Sequence, residues 1–106
     1  MSQLQQNLIQ AIELSQRIVD LAQDSAWAEM EEMDHQRKPV LESIFSDADF
    51  KVNPGKYEVQ MDKIVNLNNQ ALTLCADAKG DIKQKNRTLK LGREAISAYQ
   101  KNSFDY

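Results

Sequence analysis

Apolar residues recur at steps of three and four along three long segments of this sequence. Such steps return a side chain to the same face of an α-helix, so each segment carries one continuous apolar stripe. The first segment therefore predicts a helix over residues 3–23. Its stripe consists of Leu4, Leu8, Ala11, Ile12, Ser15, Ile18, Val19 and Ala22.

The second segment predicts a helix over residues 25–45. We expect Asp24 or Ser25 to cap its first turn, because a side-chain oxygen can accept from amides that are unpaired at a helix start. Trp27 should plug the bend after the first helix, and Pro39 should kink the second, since proline lacks an amide hydrogen. A connection this short makes the two helices an antiparallel hairpin. The second stripe consists of Trp27, Met30, Met33, Arg37, Val40, Leu41 and Ile44.

The third segment predicts a long helix over residues 57–90, after a loop over residues 46–56 that is rich in turn-forming residues. A short fourth helix over residues 92–100 would place Ile96 and Tyr99 on one face. The third stripe consists of Met61, Ile64, Val65, Asn68, Ala71, Leu72, Leu74, Cys75, Ala78, Ile82 and Leu89. The predicted fold is all-α, an antiparallel bundle of three main helices plus a short C-terminal helix, in one domain over residues 1–106.

Composition excludes several classes of function. The net charge is −3, and the basic stretch at residues 79–93 contains no aromatic residue, so we expect no nucleic-acid partner. No apolar run reaches the roughly 18 residues that span a bilayer, so we expect no membrane insertion. The first residues lack the basic head and apolar core of a secretory signal, which favours a cytoplasmic protein.

Catalytic and cofactor motifs are also missing. The sequence has one histidine, one cysteine and three isolated glycines, so it offers neither a nucleophile with its base nor a phosphate-binding loop. We predict no enzyme activity and no cofactor. Glu32 and His35 have the spacing of a di-iron ligand pair, but a second such pair would need a second histidine, so we predict no metal site. Cys75 stands among apolar residues and is expected to be buried.

The predicted third helix is longer than the hairpin that should cover it. Part of its stripe must then face a partner or the terminal helix. The candidate partner-binding residues are Leu74, Ala78, Ile82, Leu89, Ile96 and Tyr99. An apolar groove of this kind suits an amphipathic helix from another protein.

With the helices placed, the chain resembles the FliT-type flagellar export chaperones of the type III secretion system over nearly its whole length. The resemblance depends on the stretches Leu14 to Ala22, Trp27 to Met30, Gln36 to Phe45, Ile64 to Gln70 and Gly92 to Tyr99.

The resemblance implies a cytoplasmic helical chaperone that binds the C-terminal segment of the filament-capping protein and delivers it to the export ATPase complex. In some members it also implies repression of the flagellar master transcription regulator. Two alternatives stay open: a chaperone of the hook-filament junction type, and a coiled-coil assembly subunit in which the third helix forms the seam of a homodimer.

Overall fold

The computed structural model describes residues 2–77 of the chain, and every regular element in this range is helical. The elements are α1 (Gln3–Gln23), α2 (Trp27–Ser46), α3 (Ala48–Val52), a 3₁₀ turn (Pro54–Tyr57) and α4 (Glu58–Asp77). The predicted all-α fold is confirmed. The predicted continuation of the third helix over residues 78–90 and the helix over residues 92–100 lie outside the described residues.

Helix α1 begins with a capping box. The Ser2 hydroxyl accepts from the Gln5 amide at 3.1 Å, and the Gln5 side chain accepts from the Ser2 amide at 3.2 Å. Two amides that would otherwise lack partners are thereby satisfied. The residues that predicted the stripe of α1 face the interior, with Leu8, Ala11 and Ile18 almost completely buried.

The turn between α1 and α2 uses its residues differently from the prediction. Ser25 has a φ of 57°, in the left-handed region, and its amide donates to the Ala22 carbonyl while the Ala26 amide donates to the Leu21 carbonyl. These two hydrogen bonds together form the Schellman motif, which closes a helix C-terminus. Ser25 therefore ends α1, and α2 begins two residues later than predicted with Ala26 as an N-cap that makes no side-chain hydrogen bond.

Helix α2 continues through Pro39, as predicted, and ends at Ser46, one residue beyond the predicted bound. The missing amide leaves the His35 carbonyl without its usual helical donor. Pro39 is exposed, so its ring lies on the solvent side of α2. Burial of the opposite face stabilises the helix despite this break in the hydrogen bonding.

The prediction of a loop over residues 46–56 is wrong, because the segment folds into α3 and the 3₁₀ turn. Asp47 accepts from the amides of Asp49 and Phe50 at 2.9 and 3.3 Å and so caps α3. Pro54 occupies the first turn of the 3₁₀ segment, where a proline costs no hydrogen bond. Two of the residues that predicted turns, Asp47 and Pro54, therefore stand at the starts of short helices.

The three long helices form an up-down-up bundle with α1 in contact with both others. The N-terminal half of α1 packs with the end of α2 and the start of α4, because Leu8, Leu41 and Ile64 belong to one buried cluster. Its C-terminal half packs with Met30 and Cys75. The predicted antiparallel hairpin of α1 and α2 follows from these pairings.

Trp27 lies at the first position of α2 and is partly buried against the hairpin end of the core. A fully buried tryptophan costs about 3–5 kcal/mol on truncation to alanine. Because Trp27 keeps some exposure, Trp27→Ala should lower the free energy of unfolding by less than that, about 1–3 kcal/mol. Urea unfolding followed by circular dichroism measures it. An unchanged midpoint would show that the ring is no part of the packing.

Candidate functional site

The buried side chains of the described bundle form two separate cores. We name the first the loop-side core because it lies next to α3 and the 3₁₀ turn, and the second the turn-side core because it lies next to the α1–α2 turn. The loop-side core consists of Leu4, Leu8, Ala11, Leu41, Ile44, Phe50, Tyr57, Met61, Ile64 and Val65. The turn-side core consists of Ile18, Val19, Leu21, Ala22, Met30, Ala71 and Cys75.

A layer of polar side chains lies between these cores. Ser15 of α1, Arg37 of α2 and Asn68 of α4 are 0%, 0% and 2% exposed. In each of the three helices this residue falls between the members of the two cores in sequence. We call these three residues, with the adjoining Asp34, the polar layer.

Arg37 holds the layer together. One terminal nitrogen, Nη1, donates to the Ser15 hydroxyl at 3.1 Å. The other, Nη2, donates to Asp34 Oδ1 and to Asn68 Oδ1, each at 2.9 Å. Burial lowers the pKa of Arg37 from its ordinary value, and the Asp34 carboxylate opposes this shift. The Nε atom is buried and makes no hydrogen bond.

The sequence itself contains a signal for this layer. Each of the three predicted stripes contained one polar residue, Ser15, Arg37 or Asn68, among apolar neighbours. A polar group buried without a partner costs several kcal/mol in an apolar medium. One such residue per helix therefore indicates a shared hydrogen-bonded layer.

Arg37→Ala should lower the free energy of unfolding by about 3 kcal/mol, because it leaves a cavity and two buried oxygens without donors. The triple variant Ser15→Ala, Arg37→Met, Asn68→Leu should recover most of this loss, since removing all partners leaves nothing unsatisfied. Urea unfolding gives both values. Arg17→Ala, at an exposed position of α1, is the control and should change stability by less than about 0.5 kcal/mol. Equal losses for Arg37→Ala and Arg17→Ala would contradict the role of the layer.

Partly buried apolar side chains surround the turn-side core. The larger of these, which we name the rim, are Trp27, Met33, Leu67, Leu72 and Leu74. Leu67 and Leu74 are seven residues apart and so lie on the same flank of α4. The rim side chains are packed against the core and still partly accessible, as Ile12, Val40 and Phe45 are beside the loop-side core.

Leu74 is the one predicted partner-binding residue within the described part of the chain, and it is partly buried on the rim. The other five predicted residues, Ala78, Ile82, Leu89, Ile96 and Tyr99, lie outside the described residues. Trp27, which was predicted to plug the bend, and Met33 of the second stripe are both only partly buried.

The loop-side end is closed by aromatic rings. The ring centroids of Phe45 and Phe50 are 5.7 Å apart, and those of Phe50 and Tyr57 are 5.9 Å apart. The Tyr57 hydroxyl donates to the Asp49 carboxylate, which raises the pKa of Tyr57 to about 12 and lowers the pKa of Asp49 from its ordinary value. The Nζ atom of Lys56 lies 3.9 Å from Oδ2 of Asp49. These contacts anchor α3 and the 3₁₀ turn to the bundle.

The Asp49–Tyr57 pair predicts a pH dependence with a defined sign. Its stabilising effect is present above the ordinary pKa of Asp49, 3.8, and is lost as the pH falls through the lowered value. At the alkaline end it is present below the ordinary pKa of Tyr57, 10.0, and is lost as the pH rises toward about 12. Tyr57→Phe should remove the alkaline loss and raise the pKa of Asp49. Carboxyl NMR titration measures the pKa of Asp49 in the unaltered protein and in Tyr57→Phe. The same pKa in both would contradict the pairing.

Metal-ligating and nucleophilic groups do not converge in residues 2–77. Glu32 and His35 are both exposed, and no group of three potential metal ligands occurs in this part of the chain. Cys75 is 1% exposed, and its thiol lies 3.9 Å from the Met30 sulfur. The prediction that Cys75 is buried is confirmed.

Comparison with known proteins identifies the family. The family model described as "Flagellar protein FliT" matches residues 5–101, which is most of the chain. The chain belongs to the FliT family. No curated protein and no solved structure gives a significant match.

FliT proteins are chaperones of flagellar export, so the family assigns this chain to flagellar biogenesis. The predicted resemblance is confirmed, and the matched region includes the whole polar layer and the whole rim. The FliT family is not a family of enzymes. Among the described helices of this FliT protein, none has the length and apolarity needed to cross a membrane.

Proposed function

We propose that this chain is a cytoplasmic export chaperone that binds a C-terminal helical segment of the filament-capping protein and delivers it to the export ATPase complex. The observation that carries the proposal is the match of the FliT family model to residues 5–101. The rim supports the proposal, since it presents partly exposed apolar side chains on a packed helical scaffold.

The proposed binding surface begins at Leu74 and continues into the part of the sequence with helical apolar spacing. It would include Ala78, Ile82, Leu89, Ile96 and Tyr99, together with the rim. An amphipathic helix binds such a surface through apolar side chains spaced three and four residues apart.

Co-purification with the C-terminal segment of the filament-capping protein tests the proposal. Leu74→Asp should reduce the retained partner about tenfold or more, because a carboxylate without a partner would be desolvated on binding. Ala76→Asp is the matched control: Ala76 is exposed on the same helix, two residues away, and its substitution should leave retention unchanged. Circular dichroism should show that both variants stay folded.

Two further variants separate contact from competition. Tyr99→Ala should weaken binding if Tyr99 touches the partner. Truncation before Gly92 should instead strengthen binding if the terminal segment occupies the same surface. Ile82→Asp tests the middle of the proposed surface.

The same assay separates this proposal from its alternatives. Retention of a hook-filament junction protein in preference to the capping protein would assign the chain to the other chaperone type. A stable homodimer that retains neither protein would favour the assembly subunit. Repression of the master transcription regulator is not part of the proposal, because no described residue favours it.

A further inference from the structure

The polar layer separates two halves of the bundle that are built differently. The loop-side core draws buried side chains from every described element, including Phe50 of α3 and Tyr57 of the 3₁₀ turn. Among the described residues, the turn-side core draws only on α1, α2 and α4. Three of its seven members, Ala22, Ala71 and Cys75, are small. Within residues 2–77 the turn-side half therefore has fewer buried side chains than the loop-side half, seven against ten, and they come from fewer elements.

The layer itself adds little cohesion between the halves. A buried charge must first lose its hydration, and its hydrogen bonds repay this loss only when the geometry satisfies every donor. Both terminal nitrogens of Arg37 make hydrogen bonds, but Nε makes none. Its carboxylate partner Asp34 is itself 28% exposed, so water weakens their attraction. A continuous apolar core would couple the halves more strongly at this level.

We propose that the turn-side half opens as a unit while the loop-side half stays folded, with the polar layer as the boundary between them. Opening would expose the apolar faces of α1, α2 and α4 around Ala22, Met30 and Ala71 without unfolding the rest of the chain. Native proteins open in such cooperative parts when the free energy of the part lies below that of the whole. The opening is a property of the fold and does not depend on the export role proposed above.

Two alanines of α1 provide matched positions for a test. Ala11 belongs to the loop-side core and is 0% exposed, and Ala22 belongs to the turn-side core and is 3% exposed. They are eleven residues apart, which is close to three helical turns, so they lie on the same face of α1 on opposite sides of Ser15. Ala11→Cys and Ala22→Cys, each combined with Cys75→Ala, give two full-length chains with one buried thiol each.

The rate of thiol labelling in native buffer should differ between the two chains. After correction for the reactivity of each unfolded chain and for its stability, Ala22→Cys should react about tenfold or more faster than Ala11→Cys, a ratio that corresponds to about 1.4 kcal/mol between the two openings. At low urea concentrations, the labelling rate of Ala11→Cys should rise with urea as steeply as global unfolding does. The labelling rate of Ala22→Cys should depend less steeply on urea. Equal corrected rates and equal urea dependences would overturn the proposal.

The role of the layer as the boundary has its own control. In the background Ser15→Ala, Arg37→Met, Asn68→Leu the two cores become continuous, so the ratio of the two labelling rates should fall toward one. A ratio that stays tenfold there would overturn the assignment of the boundary to the layer.

Hydrogen exchange of the unaltered chain tests the proposal without any substitution. The amides of Ile18, Met30 and Ala71 should exchange through one opening with a small urea dependence. The amides of Leu41 and Ile64 should exchange only with global unfolding. Exchange of all five through the same opening would overturn the proposal even if the layer variants did not fold.

Discussion

A guanidinium can be buried only where hydrogen-bond acceptors replace its water contacts. Arg37 is completely buried. The acceptors come from three helices: Ser15 from α1, Asn68 from α4 and Asp34 from the preceding turn of α2. A slip of one helix by a single turn, about 5.4 Å, would remove its acceptor from reach. One side chain therefore fixes the positions of all three helices along the bundle axis. The apolar stripes alone would tolerate several axial alignments.

The two ends of the bundle follow from this alignment. At one end Ser25, whose backbone has a left-handed conformation, closes the hairpin. The α1–α2 connection is thereby short enough for Arg37 to donate to Ser15. At the other end α3 and the 3₁₀ turn carry the chain from α2 to α4, and Phe50 and Tyr57 cover the loop-side core. The turn-side core has no such cover in the described part of the chain, and the rim lies there.

The helices were predictable from the sequence because their stripes are long, and α1 matches its predicted bounds. The stripes also contained Ser15, Arg37 and Asn68, but their pairing depends on the relative heights of the helices, which periodicity within one helix does not report. The short helices of residues 48–57 were missed because Asp47 and Pro54 favour helix starts as well as turns. Of the predicted partner-binding residues, Leu74 is the one that can be placed, and its partial burial depends on the packing of α4.

The partial burial of the rim limits what it can contribute to binding. A fully exposed leucine or methionine that becomes buried contributes about 1.5–3 kcal/mol, and a side chain already packed on one side offers only a fraction of that. Five such side chains would supply about 3–5 kcal/mol, which is close to the lower bound of the 4–15 kcal/mol that association costs in lost translational and rotational freedom. The rim alone would therefore hold a helical partner weakly. Stable capture requires more apolar area, either from the stripe residues beyond Asp77 or from the turn-side core when it opens. The second source adjoins Leu74, because Leu74 packs on the turn-side core.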